Sequence, residues 1–402
     1  MIATLIIFFL TYVVVALGRV PGLRLDRTGA ALIGAALMVA TGALAPAEAY
    51  RAIDFDTLTL LLGMMMVVAN LRLAGFFGLC HTIIASRAQS PRVLLIGITA
   101  IAGTLSAVLV NDTVCLMLTP LVIDTARGLR RNPVPYLLAL ATASNAGSTA
   151  TMTGNPQNMM IGSLSRIAYG DFAAHLAPVA AAALVIIVIV IVVAWWREFL
   201  PSARVAAEAP SVSVDHGLLV KTLSVTAAII AAWFIGVPPP LAAILGGSLL
   251  FVTRRVKPER IYSDIDWSLL LLFVGLFVVV AAMEKTVLTP DRLAHVRDLP
   301  LNRTPVLALT TAVLSNLVSN VPAVMVLRPL IEHLADPRHG WLVLGMASTL
   351  AGNFTILGSV ANLIVVQGAA RRGVRIGFWT YFLIGAPVTI LSLALGIFWL
   401  SR

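Results

Sequence analysis

The stretch from Thr104 to Ile123 reads TLSAVLVNDTVCLMLTPLVI, and two apolar runs meet in it at Asn111, Asp112 and Thr113. Each run is shorter than the ~20 helical residues that cross a bilayer core about 30 Å thick. We therefore predict a hairpin that enters the membrane and turns back, with Asp112 near bilayer depth. Ionisable side chains at that depth are costly and usually mark a transport path.

The composition of the 402-residue chain is that of an all-α polytopic membrane protein. Hydrophobic residues make up 59% and charged residues 11% of the chain, and its mean hydropathy is +0.96. Too few polar side chains remain to cover a water-facing globule of this size. The net charge of +10 could suit nucleic acid, but the basic residues lie in short clusters between apolar segments. We therefore expect a lipid bilayer and no nucleic acid as partner.

Apolar segments continue on both sides of this hairpin. We read the N-terminus as a first span, because it lacks a charged start and a small-residue cleavage site. Spans then follow at about 28–45 and 57–78, the hairpin at 93–126, a broken helix at 136–164 and a span at 173–196. After a polar linker at 201–216 come spans at 217–235, 240–253 and 267–284, a hairpin at 304–335, a broken helix at 341–366 and a span at 378–400.

The second series repeats the first, which divides the chain into a repeat at 1–200 and a repeat at 217–402. Gly, Pro, Tyr, Asp and Asn recur in the same order with offsets that drift from 212 to 209 to 204. Chance similarity of apolar segments would align Leu with Leu, but not these residue types. Matched residues include Gly63 with Gly275, Asn111 with Asn320, and Asn158 with Asn362.

Each half is predicted to cross the membrane five times, because a hairpin adds no crossing. An odd number makes the second repeat inverted relative to the first, which is an architecture of secondary transporters. Nineteen of the 28 Lys and Arg residues fall on one side of this ten-span arrangement. The positive-inside rule makes that side cytoplasmic and puts both termini outside the cytoplasmic (inner) membrane.

The broken helices carry the densest polar sequences of the chain. The first reads SNAGSTATMTGNPQNMM from Ser144, and the second reads STLAGNFTILGSVAN from Ser348. Pro and Gly open a helix and free backbone groups, which suits ion binding at membrane depth. Small side chains also serve tight helix packing, which is the more common role of an isolated Ser or Thr. We favour a functional role because the Gly-x-x-x-Asn pattern occurs twice, each time after a hairpin.

These motifs resemble those of the ion transporter superfamily. In the first half, LVNDTVCLMLTPLVI and SNAGSTATMTGNPQN are similar to the hairpin and the broken helix of divalent anion/sodium symporters. In the second half, SNVPAVMVLRPLI and LAGNFTILGSVANLIV are similar to the matching elements of those symporters. The superfamily also includes arsenite permeases, citrate carriers and sodium/proton antiporters. The resemblance implies a scaffold domain, a transport domain that moves like an elevator, a homodimer, and sodium ions or protons as coupling ions, with no other cofactor.

The resemblance also implies positions for the sites. Substrate would lie at the two hairpin bends, and cations or protons at two clusters of bend and loop residues. The substrate residues are Asn111, Asp112, Thr113, Ser319 and Asn320. The coupling residues are Ser106, Asn111, Asp112, Thr151, Gly154 and Asn158 in the first half, and Ser315, Asn320, Thr355, Gly358 and Asn362 in the second.

The first bend departs from the symporter pattern, since Asp112 replaces a neutral residue and its repeat partner is Val321. A carboxylate 4 Å from a dianion's charge costs about 1–4 kcal/mol for effective dielectric constants of 80 to 20. The Asn-Asp pair is closer to the arsenite permeases. We therefore predict a secondary transporter for a small anion or oxyacid, with Asp112 as the coupling group. Arsenite efflux is the most specific form of this prediction.

Two other function classes compete with this prediction. A sodium/proton antiporter would use the same scaffold and Asp112, without an anion. An intramembrane enzyme would need a catalytic set at depth, and no His-x-x-x-His, Gly-x-Ser-x-Gly or Walker-type lysine motif occurs. Two accessory residues are interpreted as structural. Cys115 could bind trivalent arsenic but is expected to pack, and Arg328 is expected to extend to the interface.

Overall fold

The computed structural model describes residues 1–17, 25–87, 90–200, 213–252, 256–287 and 300–402. Within these ranges the chain forms 19 α-helices and two short 3₁₀ helices, at 300–302 and 356–358, with no strand. Most of the predicted linker, 201–212, lies outside the described residues. So do five of the nineteen basic residues that the orientation prediction places on the cytoplasmic side: Arg19, Arg24, Arg204, Arg254 and Arg255.

Ten helices make up the first half. They are α1 (Ile2–Leu17), α2 (Arg27–Ala40), α3 (Pro46–Ala52), α4 (Phe55–Leu73), α5 (Phe76–Arg87), α6 (Pro91–Val108), α7 (Asn111–Gly128), α8 (Pro133–Ser148), α9 (Pro156–Ser165) and α10 (Tyr169–Ala194). Nine described helices follow in the second half: α11 (His216–Phe234), α12 (Pro239–Leu249), α13 (Pro258–Tyr262), α14 (Trp267–Thr286), α15 (Thr304–Val318), α16 (Asn320–Ile331), α17 (Pro337–Ala351), α18 (Val360–Arg371) and α19 (Phe378–Leu400).

Among the described helices, six are long and apolar enough to cross a membrane, namely α4, α6, α10, α11, α14 and α19. The chain is therefore a multi-pass membrane protein. The expectation that both runs of the first hairpin are too short to cross is wrong for α6, which has 18 residues. Its apolar pattern starts at Pro91, well before Thr104, so helix length does not separate a re-entrant hairpin from a crossing.

The predicted span at 57–78 is also wrong as a single helix. Helix α4 ends at Leu73, and α5, which the sequence reading missed, begins at Phe76. Gly75 lies between them with φ of +81°, a left-handed conformation that glycine adopts without a steric penalty. The residues on both sides are apolar, so hydropathy alone concealed the turn. The short helices α3 and α13 were not predicted, because helices of 7 and 5 residues are too short to show an apolar periodicity.

The starts of the helices follow the offsets of the sequence repeat. Helices α2, α3 and α4 begin at 27, 46 and 55, and α12, α13 and α14 begin at 239, 258 and 267, which is the same offset for all three pairs. Helices α8 and α9 recur as α17 and α18 with the smaller offset found for the broken helices. Pro begins α8 and α17, where its missing N–H costs no helical hydrogen bond.

The two halves pack through matched glycines. Helix α4 lies against α12, and its counterpart α14 lies against α2. A Cβ on Gly63 would approach the Ala243 carbonyl carbon to 2.5 Å, and a Cβ on Gly275 would approach that of Ala31 to 2.6 Å. Ala31 and Ala243 are themselves a pair matched by the repeat. Close backbone approach through small residues is a common way to pack membrane helices.

We expect Gly63→Ala and Gly275→Ala each to destabilise the protein, by about 1–3 kcal/mol, because the added methyl group meets backbone atoms that cannot rotate away. The apparent melting temperature in one detergent measures this. Gly97→Ala is the matched control, since a Cβ at Gly97, in the middle of α6, meets nothing within 4 Å. That variant should be neutral or more stable, and equal losses in all three would contradict the packing argument.

Candidate functional site

Four helices begin at the two bends and at the two breaks. Helices α6 and α7 meet at Leu109 and Val110, and α15 and α16 meet at Ser319. Ser319 has φ of +77° and ψ of 161°, a region that L residues rarely adopt. Such a conformation costs on the order of 1–3 kcal/mol and is maintained by its surroundings. The backbone of the second bend is therefore strained at Ser319, a residue of the candidate site.

Each break is closed by one asparagine side chain. Asn158 Nδ2 donates to Ser148 O at 3.1 Å and to Thr151 O at 3.1 Å. Its counterpart Asn362 donates through Nδ2 to Gly352 O at 2.7 Å and to Thr355 O at 3.0 Å. Both asparagines are completely buried. They supply the hydrogen bonds that the carbonyls lose where the helix opens.

The first bend is attached to the first break by a chain of short contacts. Ser106 Oγ lies 2.8 Å from Ser144 Oγ, and Ser144 Oγ donates to Asn111 O at 3.1 Å. Asn111 N donates to Gly154 O at 3.0 Å. A Cβ on Gly154 would lie 2.4 Å from Ser148 O, so the loop needs glycine here. Thr151 Oγ1 donates to Ala107 O in α6.

The second bend has a similar attachment. Ser315 Oγ donates to Ser348 O at 3.0 Å and lies 2.6 Å from the Asn320 amide. The neighbours of Asn320 favour the amide orientation in which Nδ2 donates to Ser348 O and Gly358 O, both at 3.2 Å. In that orientation Asn320 Oδ1 accepts from Gln157 Nε2 at 3.3 Å, which joins the second bend to the first break.

Asn145 connects the two halves through three of the four hydrogen bonds of its side chain. Its Nδ2 donates to Asn353 Oδ1 at 2.9 Å and to Asn362 Oδ1 at 3.0 Å. Its Oδ1 accepts from Asn111 Nδ2 at 3.1 Å and from Ser359 Oγ at 2.9 Å. The first bend is thus held by a residue of α8 that also holds the second break.

Thr349 occupies the position in α17 that matches Asn145 in α8, and it reaches the first break. Asn155 Nδ2 donates to Thr349 Oγ1 at 3.2 Å, and Gln157 Nε2 donates to it at 3.1 Å. Each broken helix therefore contacts the break of the other half. Sequence reading did not identify this exchange, because the partners lie in opposite halves of the chain.

A small cavity of about 60 Å³ lies between the two bends. The first residues of four helices line it: those of α7, α9, α16 and α18. Helices α1, α2 and α14 supply the rest of the wall, including the half-buried Arg27. The lining residues from the helix starts are Asn111, Asp112, Pro156, Gln157, Ser319, Asn320, Val321, Pro322, Ser359 and Val360.

Helix N-termini make the cavity between the bends electropositive. Each N-terminus carries a partial charge of about +0.5 from its free N–H groups. Helices α7 and α16 begin without a side-chain cap. Asn111 N is already bonded to Gly154 O, so the N–H groups left for a ligand are those of Asp112 in α7 and of Asn320 and Val321 in α16, as in other anion sites at helix starts.

Asp112 also lines a second cavity, of about 90 Å³, that adjoins the first. This cavity contains Thr113, Arg72, Asp264 and Asp266. Arg72 Nη1 lies 2.8 Å from Asp264 Oδ1 in an ion pair, and no described Lys or Arg forms an ion pair with Asp112. Asp112 is thus the charged residue that lines both the acidic cavity and the electropositive cavity.

The structure brings together most of the predicted residues. Asn111, Asp112, Ser319 and Asn320 line the cavity between the bends, whereas Thr113 lines the adjoining one. The predicted coupling residues other than Asp112 fall into two hydrogen-bonded clusters. Ser106, Asn111, Thr151, Gly154 and Asn158 form the first; Ser315, Asn320, Thr355, Gly358 and Asn362 form the second. Asp112 belongs to neither cluster.

Several residues of the site carry no local signal in the sequence. Arg27 does not belong to a recognisable motif. Asn145, Gln157 and Thr349 lie among other polar residues, and no pattern distinguishes them from their neighbours. The fully buried Cys115 lines neither cavity, and Arg328 pairs with Glu332 at 3.1 Å.

Two buried amide oxygens near the clusters have no hydrogen-bond partner in the described part of the chain. They are Asn111 Oδ1 at the first cluster and Asn316 Oδ1 at the second. Such oxygens can accept a hydrogen bond from a protonated ligand or coordinate a cation.

We expect Asn145→Ala to be strongly destabilising, because it leaves groups on Asn111, Asn353, Asn362 and Ser359 without their partner. Each buried polar group left unpaired costs about 1–3 kcal/mol. The matched control is Asn70→Ala. Asn70 is equally buried in α4, but its side chain donates only to Met66 O in the same helix. Melting temperatures that fall equally in both variants would contradict a special role for Asn145.

The chain matches the family model described as "Citrate transporter" over residues 7–350. It is 30% identical to an uncharacterized transporter, Rv2684, of Mycobacterium tuberculosis, over 98% of this chain and 96% of that protein. It is 29% identical to the silicon efflux transporter LSI3 of Oryza sativa, with coverage of 94% and 93%. It is 24% identical to the putative transporter arsB of Dictyostelium discoideum, with coverage of 93% and 87%.

The fold is similar to that of a solved transporter. The YdaH transporter of Alcanivorax borkumensis aligns with a TM-score of 0.61 at 15% identity, over 98% of this chain and 95% of that chain. The family match covers most of the sequence, and the proteins it resembles are transporters rather than enzymes. The chain therefore belongs to the citrate transporter family, within the ion transporter superfamily.

Proposed function

We propose that this protein is a secondary transporter for a small oxyacid or its anion, with Asp112 coupling transport to protons or sodium ions. The observation that carries this proposal is the convergence of four helix N-termini on one small cavity that also contains a carboxylate. An electropositive cavity suits an anion, and the carboxylate accepts a proton or the hydroxyl of an acid.

The size and lining of the cavity favour a small substrate. A cavity of about 60 Å³ is several times the ~10–15 Å³ that one water needs. A compact oxyacid of one central atom suits this space better than a tricarboxylate does. The asparagine amides and serine hydroxyls around it donate and accept, as the mixed O–H and O⁻ groups of such an acid require.

Two relatives bear names that support the same substrate class. One is named for silicon efflux and another is named arsB, and both align over most of this chain. Silicon and trivalent arsenic both occur in water as weak oxyacids. For this chain we therefore propose efflux of arsenite or a comparable oxyacid. Because Cys115 lines neither cavity, recognition would rest on hydrogen bonds and charge rather than on a thiolate.

The two hydrogen-bonded clusters support a cation site in each half. Each cluster lies at the C-terminal end of a broken helix, where the partial charge is negative, and each has an unpartnered amide oxygen nearby. In this proposal Ser106, Thr151, Gly154 and Asn158 frame one site. Ser315, Thr355, Gly358 and Asn362 frame the other.

The remaining features of the proposal concern mechanism. The matched helix starts and matched glycines support two inverted repeats with re-entrant hairpins. The cavity has one wall from α1, α2 and α14 and another from the bends, which supports movement of a transport domain against a scaffold. We propose an elevator-type mechanism in a homodimer in the cytoplasmic membrane, with both termini outside.

We expect Asp112→Asn to abolish the dependence of oxyacid flux on the proton or sodium gradient, because the amide neither ionises nor balances a cation. Flux of arsenite and silicic acid into proteoliposomes, with each gradient applied in turn, measures this. Asp124→Asn is the control. Asp124 lies on the same helix but is exposed, and it pairs with Arg372 at 2.9 Å. Unchanged gradient dependence in Asp112→Asn would refute the coupling role.

A sodium/proton antiporter is the alternative, because Asp112 also lies beside the acidic cavity of Asp264 and Asp266. A thermal-shift panel of arsenite, silicic acid, phosphate, sulfate and citrate, each with and without sodium, separates the two functions. The transporter proposal expects one of the small oxyacids to raise the melting temperature. Stabilisation by sodium alone, with sodium-driven proton flux in the absence of any oxyacid, would favour the antiporter.

A further inference from the structure

Arg27 is a half-buried guanidinium that lines the cavity between the bends. It forms no ion pair with any carboxylate in the described part of the chain. A partly buried charge without a partner is costly. Arg27 is also absent from the predicted site residues, since nothing in the sequence around it marks a motif.

Arg27 does not stabilise helix α2. It is the first residue of the helix, and a positive charge there opposes the positive end of the helix dipole. The matching position in the second half is Pro239, a residue well suited to the start of a helix. The cap of α2 comes instead from Asp26, whose Oδ1 accepts from Gly29 N at 2.8 Å. The stability of α2 therefore does not explain why arginine occupies position 27.

The backbone around Arg27 is held in place. Thr28 Oγ1 donates to Ser268 O at 3.0 Å, which fixes the start of α2 to the start of α14. Leu269 and Leu272 of α14 line the same cavity wall as Arg27. The guanidinium is thus carried by two packed helices on the opposite side of the cavity from the bends.

We propose that Arg27 binds the substrate directly and that the cavity binds an ionised oxyanion in preference to an uncharged oxyacid such as arsenous acid. The inference rests on the proposed function and deepens it, because it assigns the charge state of the ligand and a residue of the scaffold wall. The helix N-termini and Arg27 receive the charged oxygen. Asp112, the other charged residue of this cavity, and Asn111 Oδ1 accept from the remaining hydroxyl groups. Arg72, Asp264 and Asp266 are confined to the adjoining cavity.

Binding to the purified full-length protein tests this, by titration calorimetry at pH 7. The probes are phosphate and sulfate, which are anions at this pH, and arsenite, which is then mainly uncharged arsenous acid. We expect Arg27→Gln to weaken binding of the anionic probes by about tenfold or more, as expected for loss of a charge-assisted hydrogen bond, and binding of arsenous acid by far less. Arg27→Lys should retain most of the anion affinity.

Arg51→Gln, at an exposed position of α3, is the matched control and should bind all probes as the wild type does. The melting temperature of Arg27→Gln should equal or exceed that of the wild type, since the variant removes an unfavourable charge. If the wild type binds a probe and Arg27→Gln binds it equally well, the role of Arg27 is refuted while the proposed function stands. If the wild type binds none of the probes and transports none, both are refuted.

Discussion

The whole site depends on one constraint: backbone groups opened at membrane depth must find partners inside the protein. Two helices break near the centre of this molecule, and Asn158 and Asn362 each bond the carbonyls that the break releases. Asn145 then ties the second of these asparagines to the first bend. The breaks are therefore not loose loops, and the helix N-termini that they create are held in fixed positions around the cavity.

Residues that are matched between the two halves and residues that are not have different roles. Hydrogen bonds that close the breaks recur at constant offsets, and so do the glycines between α4 and α12 and between α14 and α2. Of the charged residues that line the two cavities, Asp266 recurs, as Asp54, but three others do not. Asp112 is matched by Val321, Arg27 by Pro239 and Asp264 by Ala52. The repeated residues build the framework, and the unrepeated ones place charges around the cavities.

Much of the fold could be predicted from the sequence because its signals are local. Apolar runs, prolines at helix starts and the doubled Gly-x-x-x-Asn pattern located the hairpins and breaks within a few residues. Turns within apolar sequence were missed, as at Gly75, where hydropathy does not change. The first run of the hairpin was wrongly judged too short to cross the membrane, because it was measured from Thr104, whereas α6 begins at Pro91.

The site was predictable only in part, for a different reason. Asn111, Asp112, Ser319 and Asn320 could be found because each lies at an interruption of an apolar run. Arg27 and Asn145 have no such local signal. Their roles depend on contacts between segments far apart in the chain, such as the bonds from Asn145 to Asn353 and Asn362. Only packing of one half against the other brings these groups together.

The charges around the cavity also show how coupling could arise in the proposed mechanism. Four helix N-termini contribute about +2 in total and Arg27 adds a full positive charge, of which Asp112 offsets one charge when it is ionised. A proton or cation on Asp112 removes that offset and strengthens the attraction for an anion, and by linkage the anion strengthens binding of the proton or cation by the same factor. One carboxylate inside an electropositive cavity is therefore sufficient to make the two binding events interdependent. A cavity with Val at this position, as in the second half, would bind the anion without that dependence.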